Sequence, residues 1–230
     1  MIMKRDIILV LLVVTVFLAN QLQAGEKVGV FASTAIATSQ VAPDGSRIVD
    51  SLVAQPYLEM SYGRFVIFNW NNYDIDQRRF NEHDFGIWAE LFKKGDFSSY
   101  ADFQYWGYPG SEEEYETAAS AGVKYSNSNW VNANLKVTRQ SGHSLFEPGY
   151  RLWMEISKEF SFGKFSLKPK IQGAYLWDFF NVSGVAHLTE GISGGYQFAE
   201  NLNLSGFVNH QTGFEMDDFW YGGINLSYLF

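Results

Sequence analysis

Charged and amide side chains recur at alternate positions through most of this chain. The set comprises Glu90, Asp102, Gln104, Lys124, Asn132, Asn134, Lys136, Arg151, Glu155, Lys168, Lys170, Gln172 and Asn203. A spacing of two puts such residues on one face of an extended strand. Two cross-strand registers extend the set. If Lys93 faces Phe97 across the turn at 94–96, Trp88 meets Asp102 and Glu90 meets Tyr100. If Phe160 faces Phe165, Glu155 sits opposite Lys170 and Ser157 opposite Lys168. Fixed charges of both signs on a wet wall select solutes by charge. They also neutralise one another in a narrow interior, which costs less than isolated buried charges.

Other chemistry finds little support. Four histidines are present. His83 and His143 fall in expected loops. His187 and His210 lie near the loop-side ends of neighbouring strands. His210 is expected opposite Glu190 on the apolar face, where Thr212 is the nearest outward hydroxyl. That set lacks a good nucleophile, so no catalytic residue is assigned, and a lipid-modifying enzyme ranks last among the readings. The acidic runs Glu112 to Glu114 and Glu215, Asp217 and Asp218 read as solvated loop ends. Cysteine is absent, as are metal-ligand spacings and glycine-rich phosphate loops, so neither a metal nor a cofactor is expected.

The elements that must carry the polar face are strands. Aromatic residues make up 17% of the chain and charged residues 18%, with 21 glycines and 5 prolines, which suits pleated sheet rather than helix or disorder. Residues 1–24 read as a cleaved secretory signal: a basic head at Lys4 and Arg5, an apolar run from Ile7 to Leu18, and small Ala24 at the cleavage point. Without it the chain carries 15 basic and 24 acidic residues, a net charge of −9, which argues against nucleic acid as a partner. From residue 25 the chain reads as one domain. Expected strands are 27–38, 52–61, 64–72, 84–93, 97–107, 115–125, 129–139, 149–160, 164–177, 184–198, 202–212 and 217–230. Ten or fourteen strands would follow if the first or third were miscounted. Pro56 and Pro169, which cannot donate to a ladder, are the weak points.

Tight turns alternate with longer connections. The short ones are Tyr62-Gly63, 94–96, 126–128, 161–163 and 199–201; the longer ones are 39–51, 73–83, 108–114, 140–148, 178–183 and 213–216. That asymmetry predicts an all-β, closed, antiparallel up-and-down transmembrane barrel with both termini on the tight-turn, periplasmic side. Aromatic residues on the apolar face fall in two tiers. Tyr125, Phe160, Phe165, Tyr196, Phe198 and Tyr228 lie by the turns, and Tyr105, Tyr150, Tyr175, Trp177 and Trp220 by the loops. Leu204 is expected to face lipid at mid-membrane.

The chain ends on Phe230, preceded at alternate positions by Tyr228, Leu226 and Ile224. This ending resembles the C-terminal signature of bacterial outer-membrane barrels, and the resemblance implies recognition by the barrel-assembly machinery. Gln55-Pro56-Tyr57, Tyr108-Pro109-Gly110 and Gly149-Tyr150 with Glu155 resemble the TorF family of porins, although the first strand lacks an Arg-Gly pair expected there. That likeness implies a porin without naming a solute. The expected function is a porin-like channel in the bacterial outer membrane, passing small hydrophilic solutes by diffusion. It would contact lipid and lipopolysaccharide and work as a monomer. A plugged structural or adhesive barrel is the alternative.

Overall fold

A computed structural model describes residues 28–42, 45–109, 115–141 and 148–230. The expected signal segment, His143 and the run Glu112 to Glu114 lie outside the described residues. The strands are β1 (Gly29–Ala37), β2 (Gln40–Val41), β3 (Arg47–Val49), β4 (Val53–Tyr62), β5 (Phe65–Asp74), β6 (Arg79–Lys94), β7 (Phe97–Gly107) and β8 (Tyr115–Ser126). They continue with β9 (Asn132–Gln140), β10 (Tyr150–Ser157), β11 (Phe160–Phe162), β12 (Phe165–Phe179), β13 (Val182–Ala199), β14 (Leu202–Gly213) and β15 (Phe219–Leu229). β11 prolongs β10, and β2 with β3 forms a separate small sheet. The rest make a barrel of twelve antiparallel staves, each paired with its chain neighbours. β1 pairs with β15 to close the ring, Phe31 opposite Leu229 and Ala37 opposite Gly223.

Alternation by itself does not say which face meets the core. Burial decides it. Leu58, Phe103, Val123, Leu135, Met154, Ile171, Ile192, Val208 and Ile224 are exposed around the circumference. Among the most deeply buried side chains are Gln40, Asn72, Asp74, Thr138, Gln140, Thr189 and Gln211. A soluble protein would not leave an apolar belt of that extent in water. The two aromatic tiers form as expected. Phe97 meets Tyr125 at 4.9 Å and Phe165 meets Tyr196 at 4.7 Å by the turns, while Tyr175 meets Trp177 at 4.5 Å by the loops.

Both prolines fit because the ladder gives way beside them. Pro56 coincides with a gap in the β4–β5 pairing between Ala54 and Tyr57. Pro169 lies across from the break at 158–159 that separates β10 from β11, and its carbonyl accepts from the Lys158 amide at 3.2 Å. Lacking an N–H, each can satisfy one neighbouring strand but not both.

Several turn positions differ from expectation. Gly163 and Lys164 form the β11–β12 turn, so Ser157 stands opposite Lys170 and Glu155 opposite Gln172. The expected pairs Glu155–Lys170 and Ser157–Lys168 are thus displaced by two residues, which preserves the face of every side chain. At the β6–β7 hairpin, Gly95 takes φ +57° and Lys94 pairs with Phe97. A bulge at Leu91 then restores Trp88–Asp102 and Glu90–Tyr100 as expected. The 126–128 turn is really 127–131. The Asn127 side chain organises it by accepting from the amides of Asn129 and Trp130 at 2.9 and 3.0 Å. Two expected long loops shrink because their strands run on: β5 to Asp74 with β6 from Arg79, and β12 to Phe179 with β13 from Val182.

Leu204 faces outward, but three residues from the turn and opposite Tyr196 in the turn-side tier. The mid-strand outward position on β14 is Val208, opposite Ile192. Val208→Arg is therefore expected to weaken folding into lipid vesicles by about 2–4 kcal/mol, and Leu204→Arg by less. Urea titration of the tryptophan signal in vesicles measures both; equal losses at the two sites would contradict the assigned membrane depth.

Candidate functional site

The pleat sends alternate residues of each stave into the lumen, and their types sort by position around the ring. On the β4–β6 side stand Tyr57, Phe68, Trp70 and Trp88, with the Tyr57 and Phe68 rings stacked at 6.0 Å. Lys124 on β8, Lys136 on β9, Arg151 on β10 and Lys168 and Lys170 on β12 form a basic wall further round. Strand polarity explains the grouping: on adjacent antiparallel staves, inward positions fall side by side, so β8, β9 and β10 stack their cations in neighbouring rows.

Contacts tie the wall together. Lys136 Nζ lies 3.9 Å from Asp102 Oδ2. Asp102 also accepts from Gln104 Nε2 at 2.7 Å, and Gln104 accepts from the Trp106 indole N–H at 3.0 Å. Tyr100 donates to Asn134 Oδ1 at 3.0 Å. Lys124 Nζ hangs 4.6 Å from the Tyr100 ring centre and 5.2 Å from Trp88, with both electron-rich faces attracting the ammonium. Nearer the turns, Lys168 pairs with Glu155 at 3.7 Å and Lys170 donates to Gln172 at 3.1 Å.

The connection expected at 39–51 as an outer loop instead folds into the barrel as β2 and β3. Gln40 is its anchor. Its amide donates to Glu82, and its carbonyl accepts from Asn72 and Asn81, both at 2.8 Å. At the far end, Gln211 Nε2 donates to the Gly45 carbonyl at 2.7 Å and Arg47 lies 4.9 Å over the Phe219 ring. Gly45 has φ +94° and packs against the His187 ring so closely that a Cβ would collide with it. A second insertion enters from the β12–β13 turn. Asp178, Phe180 and Asn181 all take positive φ. That bend drives Phe179 under Arg151, 5.3 Å from ring centre to guanidinium, and brings Phe180 to 6.4 Å from Trp106. The Phe180 amide donates to Gln140 Oε1 at 3.1 Å, and Gln140 donates to Glu116. With Leu176, Ala186 and Ala118 these rings make the barrel's main apolar core, at its loop end.

Between the β2–β3 insertion and the walls lies a cavity of about 550 Å³. Of the residues expected to face a lumen, Trp88, Tyr100, Asp102, Gln104, Lys124, Asn134, Lys136, Arg151 and Gln172 border it. Glu90, Asn132, Glu155, Lys168, Lys170 and Asn203 occupy inward positions nearer the turns and do not. Sequence reasoning missed Trp70, Trp153, Phe207, Tyr221, His187 and Gln211 at the cavity, together with Ser39 and Gly45 from the inserted loop. Continuing the period-two pattern would have found the strand residues, but an inward aromatic is indistinguishable by type from a lipid-facing one. Nothing local marks 39–51 as turning inward.

Outside the lumen, Glu190 does stand opposite His210 on the outer face, and His210 stacks on Trp220 at 4.5 Å. His83 sits on β6 with Nδ1 2.5 Å from Asn71 Oδ1. Asp218 accepts from the Gly213 amide at 2.6 Å, so one member of the second acidic run orders its own loop.

No family model matches the chain, and no curated protein matches it. Solved structures do. The KdgM porin in complex with disordered oligogalacturonate is similar at TM-score 0.57 and 8% identity, over 87% of this chain and 98% of that one. The COG4313 outer membrane channel from Pseudomonas putida F1 is similar at 0.58 and 9%, over 90% and 96%. The NanC porin is similar at 0.55 and 5%, over 87% and 98%. At these identities the likeness is one of fold, and it extends over nearly the whole of each barrel.

The Gly45 contact yields a test of the inserted loop. Gly45→Val should expel the loop and expose Arg47, raising trypsin cleavage there about tenfold, as for a segment released to local opening. Cleavage at Arg78 in the exposed 75–78 turn should stay constant. Peptide mapping of timed digests reads both; an unchanged rate at Arg47 would mean that the loop does not depend on this contact.

Proposed function

We propose that the protein is a bacterial outer-membrane channel through which small hydrophilic solutes diffuse passively, with a preference for anions. The observation that carries this reading is the inversion of the barrel: an apolar exterior around a polar interior that keeps a cavity of about 550 Å³ beside the β2–β3 insertion. Twelve staves give a ring wider than the eight-stranded barrels that side chains fill and narrower than the sixteen-stranded open porins. The structural similarity to porins and channels supports the same reading, as does the resemblance of residues 55–57, 108–110 and 149–155 to the TorF family. Solute passage requires no cofactor and no catalytic residue.

In this reading the aromatic tiers rest at the two membrane interfaces and meet lipid and lipopolysaccharide. Phe230, whose amide donates to the Val30 carbonyl at 2.9 Å across the closing seam, presents the last strand to the barrel-assembly machinery. Residues 1–24 direct export and are removed. A single chain closes its own ring, so a monomer suffices. The second reading, a plugged structural or adhesive barrel, is favoured by one observation: two separate segments fold into the loop-side half.

Purified protein in a planar bilayer should show discrete conductance steps and, on a gel, migration that changes with heating. Lys168→Glu with Lys170→Glu should shift ion preference toward cations, read as a change in sign of the reversal potential under a salt gradient. Silence in the bilayer from protein with intact heat-modifiable migration would decide for the plugged barrel.

A further inference from the structure

We infer that the cavity is a binding site for carboxylate-bearing sugars, a deepening of the channel reading on which it rests. The first observation is charge. The chain as a whole is acidic, with a net charge of −8, yet among the described residues the cavity is bordered by Lys124, Lys136 and Arg151 and, of the acids, by Asp102. Asp102 is engaged by Lys136 and Gln104, whereas the contacts of Lys124 Nζ among the described residues are the ring faces of Tyr100 and Trp88. An ammonium held on two rings retains N–H directions in which to meet an oxyanion.

The second observation is shape and chemistry. Rings border the same cavity, among them Trp70, Trp88 and Trp153. Flat rings of this kind stack on the C–H faces of a sugar, and this volume is in the range of small-molecule sites. Amides rather than aliphatic side chains fill the intervals: Gln55, Gln104, Asn134 and Gln172 border the space. Amides present donors and acceptors together, which suits hydroxyl groups, whereas an unsubstituted aryl acid meets them through its carboxylate alone. Charge selects the carboxylate, rings and amides select the sugar.

The test is calorimetric titration of the full folded protein in detergent. Trigalacturonate and its fully methyl-esterified form share rings and hydroxyls and differ in charge. Trigalacturonate should bind saturably, at least about tenfold more tightly than the ester, and more weakly as salt rises. Lys124→Gln should narrow that gap by lowering trigalacturonate affinity alone, with the ester unchanged. Equal affinities for acid and ester, or no saturable heat from either in protein with normal heat-modifiable migration, would overturn the assignment. So would 2-naphthoate binding as tightly as trigalacturonate. Failure of the channel reading is seen separately: binding with a silent bilayer leaves the site and removes the channel, and conductance without binding does the reverse.

Discussion

Hydrocarbon offers no hydrogen bonds, and the rest of this structure depends on that fact. Each backbone N–H and C=O in the membrane zone must find a partner in the protein, so a sheet there has to close on itself. Closure is achieved where β15 meets β1, seven registered pairs from Phe31–Leu229 to Ala37–Gly223. With the ring shut, every stave has one face toward lipid and one toward the interior, and the period-two pattern assigns each side chain to one or the other. The two prolines show how strict the accounting is, since each coincides with a local loss of pairing rather than with an orphaned group.

An interior bounded by polar faces creates a second problem, the disposal of charge. Isolated ions in a confined lumen are costly, and the molecule answers with short-range pairing: Lys136 with Asp102, Lys168 with Glu155, Lys124 with two aromatic rings. The bases gather on adjoining staves, and large aromatics stand among and beside them, Trp88 and Tyr100 against Lys124 and Trp153 opposite Lys136.

The inserted loops set the size of what remains. β2 and β3 are held by side-chain amides and by one glycine that alone fits against His187, whereas Phe179 and Phe180 enter by way of left-handed backbone and pack as an apolar wedge. The first insertion is bound chiefly by side-chain hydrogen bonds, the second by burial together with the Phe180 amide bond to Gln140. Loss of a single buried amide contact at Gln40 or Gln211 leaves polar groups stranded. The first of the two supplies part of the cavity lining, through Ser39, Val41, Ala42 and Gly45.

Much of the molecule was legible in the residues alone. Alternation and turn chemistry specified a closed barrel of twelve staves, because local pattern and backbone satisfaction leave few other solutions. The inward face of Lys124, Lys136, Arg151, Glu155 and Lys170 was readable too, since a register error of two residues, as at Gly163, leaves the face of a side chain unchanged. What tertiary structure alone decided is anything that requires two staves distant in sequence to be known at once. Gly45 meets His187 and Gln211 across more than a hundred residues of chain, and Trp70 faces cations from strands with which it never pairs. No periodicity encodes such contacts, because they arise from the curvature of the closed ring and from loops entering it. The barrel was therefore written in local order, and the site within it by closure.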